Sequence, residues 1–283
     1  IIGSLATTSG ILISWFLLSP ESVLGEEGKV IAGMLTGTYT GGSVNFNAVA
    51  LEYNFQENGL LYAGTIAVDN VITTLWIIAT LAIPVVLRHF WKDKTSLKSS
   101  TGDENEPHPE DENIDLISLM WLLFLGVAAY FVSDLIKELL PQIPSILTLS
   151  TIGIILAQTT FVSNLKGSHN LGLYLVFIFL AVIGAYCELS AVSELKDVGI
   201  TLLLFAGLAV LLHGIITILL GGLLYRDWEM IAIVSQANIG GGTTAIALAE
   251  SFKRKDLILP AILVGTLGNA LGTYLGFLVV YIL

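Results

Sequence analysis

Long apolar stretches separated by short polar segments occupy most of the chain. A bilayer core of roughly 30 Å requires about 20 apolar residues in a helical span, and several of these stretches meet or approach that length. The pattern therefore predicts a bundle of membrane-spanning α-helices. The stretches are residues 1–18, 60–87, 116–140, 146–162, 171–189, 198–224 and 257–283.

The composition indicates the same class of protein. Hydrophobic residues make up 54% of the 283 residues and charged residues only 12%, whereas a soluble domain carries about 25% charged residues. The single cysteine, Cys187, excludes a disulfide framework. The net charge of −11 says little about orientation, because acidic loop residues contribute little to it. We therefore expect an all-α, multi-pass protein of the cell membrane.

One long polar stretch, residues 90–114, divides the chain. It combines lysines, acidic residues and prolines, which is typical of a flexible linker, and we expect it to be cytoplasmic. Residues 1–89 are interpreted as the C-terminal part of a first transmembrane repeat. Its N-terminal helices are expected to be missing, because the chain starts at Ile1 without a methionine. Residues 115–283 are interpreted as the second repeat.

Two segments have a pattern that differs from an ordinary span. Residues 29–52 are interrupted by the glycine-rich residues 36–43, and residues 229–250 by residues 235–243. Glycine costs about 1 kcal/mol relative to alanine inside a helix, and backbone freed from a helix must find partners in protein or in a wet cavity. Each segment is predicted to form two short helices around an unwound centre.

The two broken segments also resemble each other. Residues 41–43 (Gly-Gly-Ser) correspond to residues 241–243 (Gly-Gly-Thr), and Asn70 and Asn269 occupy equivalent places in the apolar helices that follow. Paired Gly-interrupted segments in corresponding parts of two halves indicate the binding site of a secondary transporter. If the two halves have inverted orientations, most of the basic residues fall on one side of the membrane. Cytoplasmic loops carry such an excess of basic residues, so the distribution favours inverted repeats. Whether each broken segment spans the membrane or re-enters it is left open.

The glycine-rich breaks supply the candidate substrate site. Free N–H groups at helix N-termini suit an anionic group, and carbonyl groups released from a helix suit a cation. Polar side chains beside the glycines add further ligands. The candidate residues are Thr38, Thr40, Gly41, Gly42, Ser43, Asn45, Gln236, Asn238, Gly240, Gly241, Gly242 and Thr243.

Asp69 is the candidate ion-coupling residue, together with Asn70 and Asn269. A charge near the bilayer centre costs at least ~2.5–3.5 kcal/mol and usually marks an ion path or a proton relay. We expect Asp69 to bind Na⁺ or to exchange a proton, and no other metal site is predicted. A structural hydrogen bond is the alternative role for this carboxylate. His213 and Glu188 are weaker candidates, which structural hydrogen bonds would also explain.

Three motifs carry a resemblance to a known family: residues 38–50, 68–71 and 235–245. In them the chain resembles the YjcL-like bacterial membrane family of unknown function, which is grouped with the cation/proton antiporter and anion transporter clan. That clan includes glutamate:sodium symporters, citrate carriers and bile acid:sodium symporters, and the resemblance implies inverted repeats with glycine-rich tips near the substrate. Antiporters of the clan carry an Asp-Asp or Asn-Asp pair, to which Asp69-Asn70 is similar in place but reversed in order.

The predicted function is an ion-coupled (Na⁺ or H⁺) secondary transporter of a small solute, with an organic anion as one class. The alternatives are a cation/proton antiporter and a non-transporting membrane regulator on the same fold. The sequence has no phosphate-binding loop, zinc-protease or serine-hydrolase motif, so we expect neither an enzyme nor a cofactor. Expected partners are membrane lipid and the transported small molecule or ion, with no nucleic acid; a homodimer is left open.

Overall fold

The structure is a computed structural model in which the regular elements of the described residues are all helices. Four of these helices are long and apolar enough to cross a membrane: Gly59–Phe90, Leu116–Leu139, Asp197–Leu224 and Lys255–Ile282. The expected all-α class is therefore confirmed. The described residues are 1–93, 115–141, 143–168 and 194–283, together with isolated residues between 170 and 181.

The chain divides into two compact units. Unit 1 contains residues 1–102 and 187–283, and unit 2 contains residues 103–186. The helices of unit 1 are α1 (Ile2–Leu18), α2 (Glu21–Leu24), α3 (Glu27–Gly41), α4 (Ser43–Glu52), α5 (Gly59–Phe90), α9 (Asp197–Leu224), α10 (Trp228–Ile239), α11 (Gly241–Ser251) and α12 (Ile258–Ile282), with 3₁₀ turns at Phe55–Glu57 and Lys255–Leu257. The helices with defined bounds in the described part of unit 2 are α6 (Leu116–Leu139), α7 (Ser145–Ala157) and α8 (Thr160–Ser163).

Unit 2 is held together by side chains of α6. The Asp115 carboxylate caps this helix by accepting the Ser118 N–H at 3.0 Å, which satisfies one of the free donors of the first turn. Ser133 of α6 bonds to Thr148 of α7 at 2.8 Å. The ring of Trp121 meets that of Phe161 edge to face at 5.6 Å. These contacts fix α7 and α8 against α6.

The helices α10 and α11 form a helical hairpin, hairpin 2. They contain 12 and 11 residues, so a straight continuation would separate their outer ends by roughly 35 Å. Instead, Arg254 Nη1, just after α11, lies 3.0 Å from Asp227 Oδ2, just before α10. The same nitrogen contacts Glu229 Oε2 at 3.1 Å. This ion-pair cluster forms the base of hairpin 2, and Gly240 and Gly241 lie at its tip.

The helices α3 and α4 form the corresponding hairpin 1. A Cβ on Gly37 of α3 would lie 3.0 Å from the backbone oxygen of Asn45 of α4. The two arms, which Gly42 connects, therefore pack against each other. At the base of hairpin 1, the Asn58 side-chain amide donates to Glu27 Oε1 at 3.3 Å. Gly42, with φ +102°, forms the tip.

The bases of the two hairpins lie at opposite ends of α5. This helix begins directly after Asn58, at the base of hairpin 1. Near its other end, Arg88 Nη2 contacts Glu229 Oε1 at 2.7 Å, at the base of hairpin 2. Helix α12 begins at the base of hairpin 2, and its Phe277 ring lies 5.9 Å from Tyr53, just after α4. Therefore α5 and α12 run in opposite directions between the two bases.

A seam of glycines joins α3 to α12. Glycines at every fourth position of α3 face glycines at every fourth position of α12, so that the two antiparallel backbones approach closely. A Cβ on Gly41 would lie 2.3 Å from the oxygen of Gly268, and a Cβ on Gly276 would lie 2.8 Å from the oxygen of Gly33. Small residues at this spacing allow such packing between membrane helices.

Three sequence predictions about the elements require correction or limitation. The predicted stretch 146–162 is interrupted at residues 158–159, between α7 and α8, because Thr159 caps the new helix by accepting the Val162 N–H. The predicted unwound centres, 36–43 and 235–243, are much narrower: a single residue, Gly42 in hairpin 1 and Gly240 in hairpin 2, separates the two helices. Helical hydrogen bonding up to the turn leaves less backbone unsatisfied. Most of the predicted stretch 171–189, with Cys187 and Glu188, lies outside the described residues.

Candidate functional site

The tips of the two hairpins lie against each other. A Cβ built on Gly42 would be 4.0 Å from the Gly241 Cα, and a Cβ on Gly241 would be 3.9 Å from the Gly41 oxygen. Both Gly42 and Gly241 have a positive φ, +102° and +81°, which residues with a side chain adopt only at a cost. The two glycine-rich breaks that the sequence singles out are thus brought together at one point.

Helix α12 closes one side of the meeting point. The Asn269 Oδ1 atom lies 3.9 Å from the position of a Gly42 Cβ, and Asn269 is exposed. A Cβ on Gly268 would lie 2.4 Å from the oxygen of Thr40, and one on Gly265 would lie 2.5 Å from the Cα of Gly242. The predicted residue Asn269 therefore belongs to the tip region, and two glycines of α12 shape that region.

The polar residues of hairpin 1 differ in their surroundings. Ser43 is half-buried as the first residue of α4. Thr40 is fully buried, and its hydroxyl has no hydrogen-bond partner among the described residues. The Oδ1 atom of buried Asn45 accepts from Thr273 at 2.7 Å, while its Nδ2 atom finds no acceptor in the described part of the chain. The buried hydroxyl of Tyr39 likewise has no regular hydrogen bond within the described residues, so hairpin 1 holds three buried polar atoms with unused hydrogen-bonding capacity within four residues of its tip.

The polar residues of hairpin 2 are more completely bonded. Buried Gln236 donates to Thr244 across the tip at 3.1 Å and accepts from Thr80 of α5 at 3.1 Å. Asn238 donates to Val234 O in its own helix and accepts from Ser4 of α1 at 3.3 Å. The Asn238 side chain thus faces α1, whereas Thr243 is exposed beside half-buried Gly240 and Gly242.

Asp69 lies next to hairpin 1, in the interior of α5. It is 7% exposed, and its Oδ2 atom accepts from Thr38 of α3 at 3.3 Å. Thr73, one turn later on α5, donates to Oδ1 at 3.5 Å. The Tyr39 hydroxyl also faces the carboxyl group, but without the geometry of a regular hydrogen bond. All of these neighbours are uncharged.

The residue Asn70 differs from its neighbour Asp69. Asn70 is exposed on α5, so the two adjacent residues do not share one buried pocket. Further along the same helix, Trp76 donates to Ser235 of α10 at 3.1 Å. Helix α5 therefore contacts hairpin 1 through Asp69 and hairpin 2 through Trp76 and Thr80.

The sequence analysis missed several residues of this region. Thr73 was detectable because it lies four residues after Asp69 on the same helical face. Gly268 was detectable from its four-residue spacing to Gly272 and Gly276, which matches the glycine spacing of α3. Tyr39 carried no local signal, since an aromatic residue in an apolar helix most often belongs to the core.

Comparison with known proteins identifies relatives of unknown function. A family model described as "Protein of unknown function (DUF819)" matches residues 1–283. The chain is 28% identical over 295 residues to the protein described as "Uncharacterized membrane protein YjcL" of Bacillus subtilis (strain 168), with 98% of this chain and 72% of the relative covered. No solved structure matches the chain.

Proposed function

The chain belongs to the DUF819 family of proteins of unknown function, and we propose that it is an ion-coupled secondary transporter of a small solute. It is a multi-pass membrane protein, as its apolar helices and its membrane-protein relative indicate. The observation that carries the proposal is the contact between the glycine tips of two hairpins whose bases lie at opposite ends of α5.

The lengths of the hairpin arms support re-entry into the membrane. Helices α10 and α11 are each roughly 17–18 Å long, which is shorter than the bilayer core of roughly 30 Å. An arm that starts at one surface therefore ends inside the core. Irregular backbone at that depth is tolerated where it is buried in protein or lines a water-filled cavity, and the two tips contact each other. In this proposal the hairpins enter from opposite sides and meet near the midplane.

The packing partners support an inverted repeat. The equivalent elements are α3 and α10, α4 and α11, α5 and α12, and α1 and α9. Helix α3 packs on α12, and its equivalent α10 packs on α5, while α1 packs directly on α9. Exchanging the two halves thus maps these contacts onto one another, as a two-fold axis in the membrane plane requires.

Kinship with glutamate:sodium symporters, citrate carriers and bile acid:sodium symporters is part of the proposal and rests on the motif resemblance.

The polarity of the tips supports a small organic anion as the solute. Helices α4 and α11 both start at the meeting point, so their positive dipole ends and free N–H groups converge there. The Asn45 amide, three residues beyond Gly42 and packed against Gly272 of α12, is a further buried donor without an acceptor among the described residues. The carboxylate of a small anion matches the N–H groups at the starts of the two helices.

Asp69 supplies the proposed coupling site. Its carboxylate accepts a hydrogen bond from Thr38 of α3, the first arm of hairpin 1. Helix α5 also bonds through Trp76 to α10, the first arm of hairpin 2. Neutralising this charge with Na⁺ or a proton would change a direct contact of hairpin 1, on the helix that also contacts hairpin 2. In this proposal α5 links the ion to the elements that hold the solute, and such a link between two sites is the requirement for coupling.

A proteoliposome experiment tests this function. The full chain is reconstituted, and uptake of a panel of small carboxylates is measured under an imposed Na⁺ or proton gradient. We expect gradient-driven uptake that Asp69→Asn abolishes. The matched control Asp197→Asn changes an exposed aspartate in the first turn of α9 and should retain the flux. Absence of any flux from correctly folded protein would instead favour a non-transporting regulator.

The environment of Asp69 also favours a second candidate, a cation/proton antiporter. No basic side chain of the described residues pairs with this buried carboxylate, so it is available to bind a cation and a proton in turn. Collapse of a pH gradient on addition of Na⁺ alone, without any carboxylate, distinguishes the antiporter from the anion carrier. Catalysis forms no part of either proposal.

A further inference from the structure

His213 is a buried titratable residue that the proposed coupling site does not use. It lies in α9 with no exposed surface. The sequence analysis left two roles open for it, a functional one and a structural hydrogen bond. Its contacts assign a defined chemical state to the imidazole.

Both ring nitrogens have hydroxyl partners on different helices. The Nδ1 atom lies 3.0 Å from Thr7 Oγ1 of α1, and the Nε2 atom lies 2.9 Å from Ser235 Oγ of α10. Each hydroxyl has a second partner with a fixed role. Thr7 donates to the backbone oxygen of Tyr39 at 2.7 Å, and Ser235 accepts from the indole N–H of Trp76 at 3.1 Å.

These second partners fix the proton on Nδ1 and are compatible with an unprotonated Nε2. A carbonyl oxygen can only accept, so the Thr7 hydroxyl hydrogen points to Tyr39 and Thr7 must accept from His213 Nδ1–H. If the ring is neutral, the lone pair of Nε2 accepts the hydroxyl hydrogen of Ser235, whose oxygen accepts from Trp76. Every donor of the network then has an acceptor, and the ring has neither a free lone pair for a metal nor an open position for a further proton.

We propose that His213 is a positioning residue, fixed as the neutral Nδ1–H tautomer, that joins the first arms of the two hairpins, α3 and α10. The chain of hydrogen bonds runs from the Tyr39 carbonyl in α3 through Thr7, His213 and Ser235 to α10. It therefore ties hairpin 1 to hairpin 2 through the packed pair α1 and α9. This inference concerns the hairpins and the imidazole alone, and it does not depend on what the protein transports.

Close packing on both sides of the imidazole supports a site built for this ring. A Cβ on Gly10 of α1 would lie 2.6 Å from the oxygen of Ala209, one turn before His213. A Cβ on Gly214 would lie 2.1 Å from the ring of Trp76. Glycine at both positions lets the neighbouring helix and the indole approach to hydrogen-bonding distance of the network.

Nitrogen-15 NMR of the full chain tests the tautomer. His89, His108 and His169 are replaced by asparagine, so that His213 gives the one remaining imidazole signal. At pH 7 we expect Nδ1 to show the shift of a protonated, pyrrole-type nitrogen and Nε2 that of an unprotonated nitrogen accepting a hydrogen bond. An Nε2–H tautomer, or protonation of both nitrogens, would overturn the proposal.

Substitution of the hydroxyl partners tests the connection. Ser235→Ala should shift the Nε2 signal towards the value of a nitrogen without a hydrogen bond and leave Nδ1 protonated, and Ser235→Thr should restore the signal. Ser14→Ala is the matched control, because the Ser14 hydroxyl is buried without a partner among the described residues; it should move neither signal.

A double-mutant cycle tests whether the imidazole transmits the connection. The effects of Thr7→Val and Ser235→Ala on the melting temperature should be non-additive when His213 is present and additive in the His213→Leu background. Additivity in both backgrounds would show that His213 does not join the two arms, and the proposal would be wrong.

Discussion

Two buried threonines of α3 use their hydroxyl groups differently. Thr36 donates to the backbone oxygen of Ala32 in its own helix at 2.8 Å. Thr38 donates instead to the Asp69 carboxylate of α5 at 3.3 Å. Both side chains are almost completely buried. They differ in that the Thr36 hydroxyl bonds within its own helix, whereas the Thr38 hydroxyl bonds to the proposed coupling residue.

The substitution Thr38→Val should therefore weaken ion coupling specifically. A hydrogen bond to a charged group contributes about 1.5–3 kcal/mol, and its loss changes the contacts of the carboxylate on which an ion would act. We expect the ion concentration that gives half-maximal uptake to change by about tenfold, which corresponds to about 1.4 kcal/mol. Thr36→Val is the control with the same change in shape, and equal effects of the two substitutions would contradict a role for Thr38 beside Asp69.

At the scale of the elements, the base of hairpin 2 depends on one arginine. The Arg254 guanidinium contacts Asp227, Glu229 and Asp256, the last at 2.8 Å. The side chains of Arg254 and Asp227 are only 12% and 10% exposed. Hydrogen bonding first to Asp256, and then to Glu229 and Asp227, raises the pKa of Arg254 above its ordinary value. The arginine thus stays charged and holds the two ends of the hairpin together.

Removal of this side chain should loosen hairpin 2. Breaking a buried ion pair by deleting one partner costs on the order of 3 kcal/mol, because the remaining carboxylates lose their counterion. Arg254→Ala should therefore lower the melting temperature in detergent and expose the loop after Ser251 to protease. Lys29→Ala removes an exposed i,i+3 pair with Glu26, which contributes about 0–1 kcal/mol. If Arg254→Ala lowered the melting temperature no more than Lys29→Ala does, the proposed role of the cluster would be contradicted.

The glycine seam gives a second prediction at this scale. Gly41→Ala would place a methyl group 2.3 Å from the Gly268 oxygen, and such overpacking costs typically about 1–3 kcal/mol. We expect thermal unfolding at a lower temperature. Gly153→Ala in α7 meets no atom within 4 Å and should be neutral or stabilising, since alanine favours a helix by about 1 kcal/mol relative to glycine. Similar melting temperatures for both variants would argue against close packing of α3 on α12.

At the scale of the whole molecule, the sequence predicted what depends on local pattern. The apolar stretches predicted the long helices, and the glycines at residues 41–42 and 240–242 predicted the positions of both breaks. The choice between a span and a hairpin was not accessible, because a helix broken at Gly42 fits either path. That choice depends on contacts distant in the chain, such as Asp227 with Arg254. The contact between the two tips and the hydrogen bonds of His213 also join residues that are distant in the chain. The sequence around each of these residues does not indicate its partner.

The accessibility of the two hairpin bases tests the proposed architecture most directly. Glu57 lies exposed at the base of hairpin 1, and Lys255 lies exposed at the base of hairpin 2. With Cys187 replaced by serine, the variants Glu57→Cys and Lys255→Cys each carry a single cysteine, which a membrane-impermeant maleimide can label in intact cells. Positive-inside bias predicts that Lys255→Cys reacts only after the membrane is permeabilised, and opposite entry of the hairpins then predicts that Glu57→Cys reacts from outside. Labelling of both cysteines from the same side would contradict hairpins that enter from opposite faces, and with them the proposed transport site between their tips.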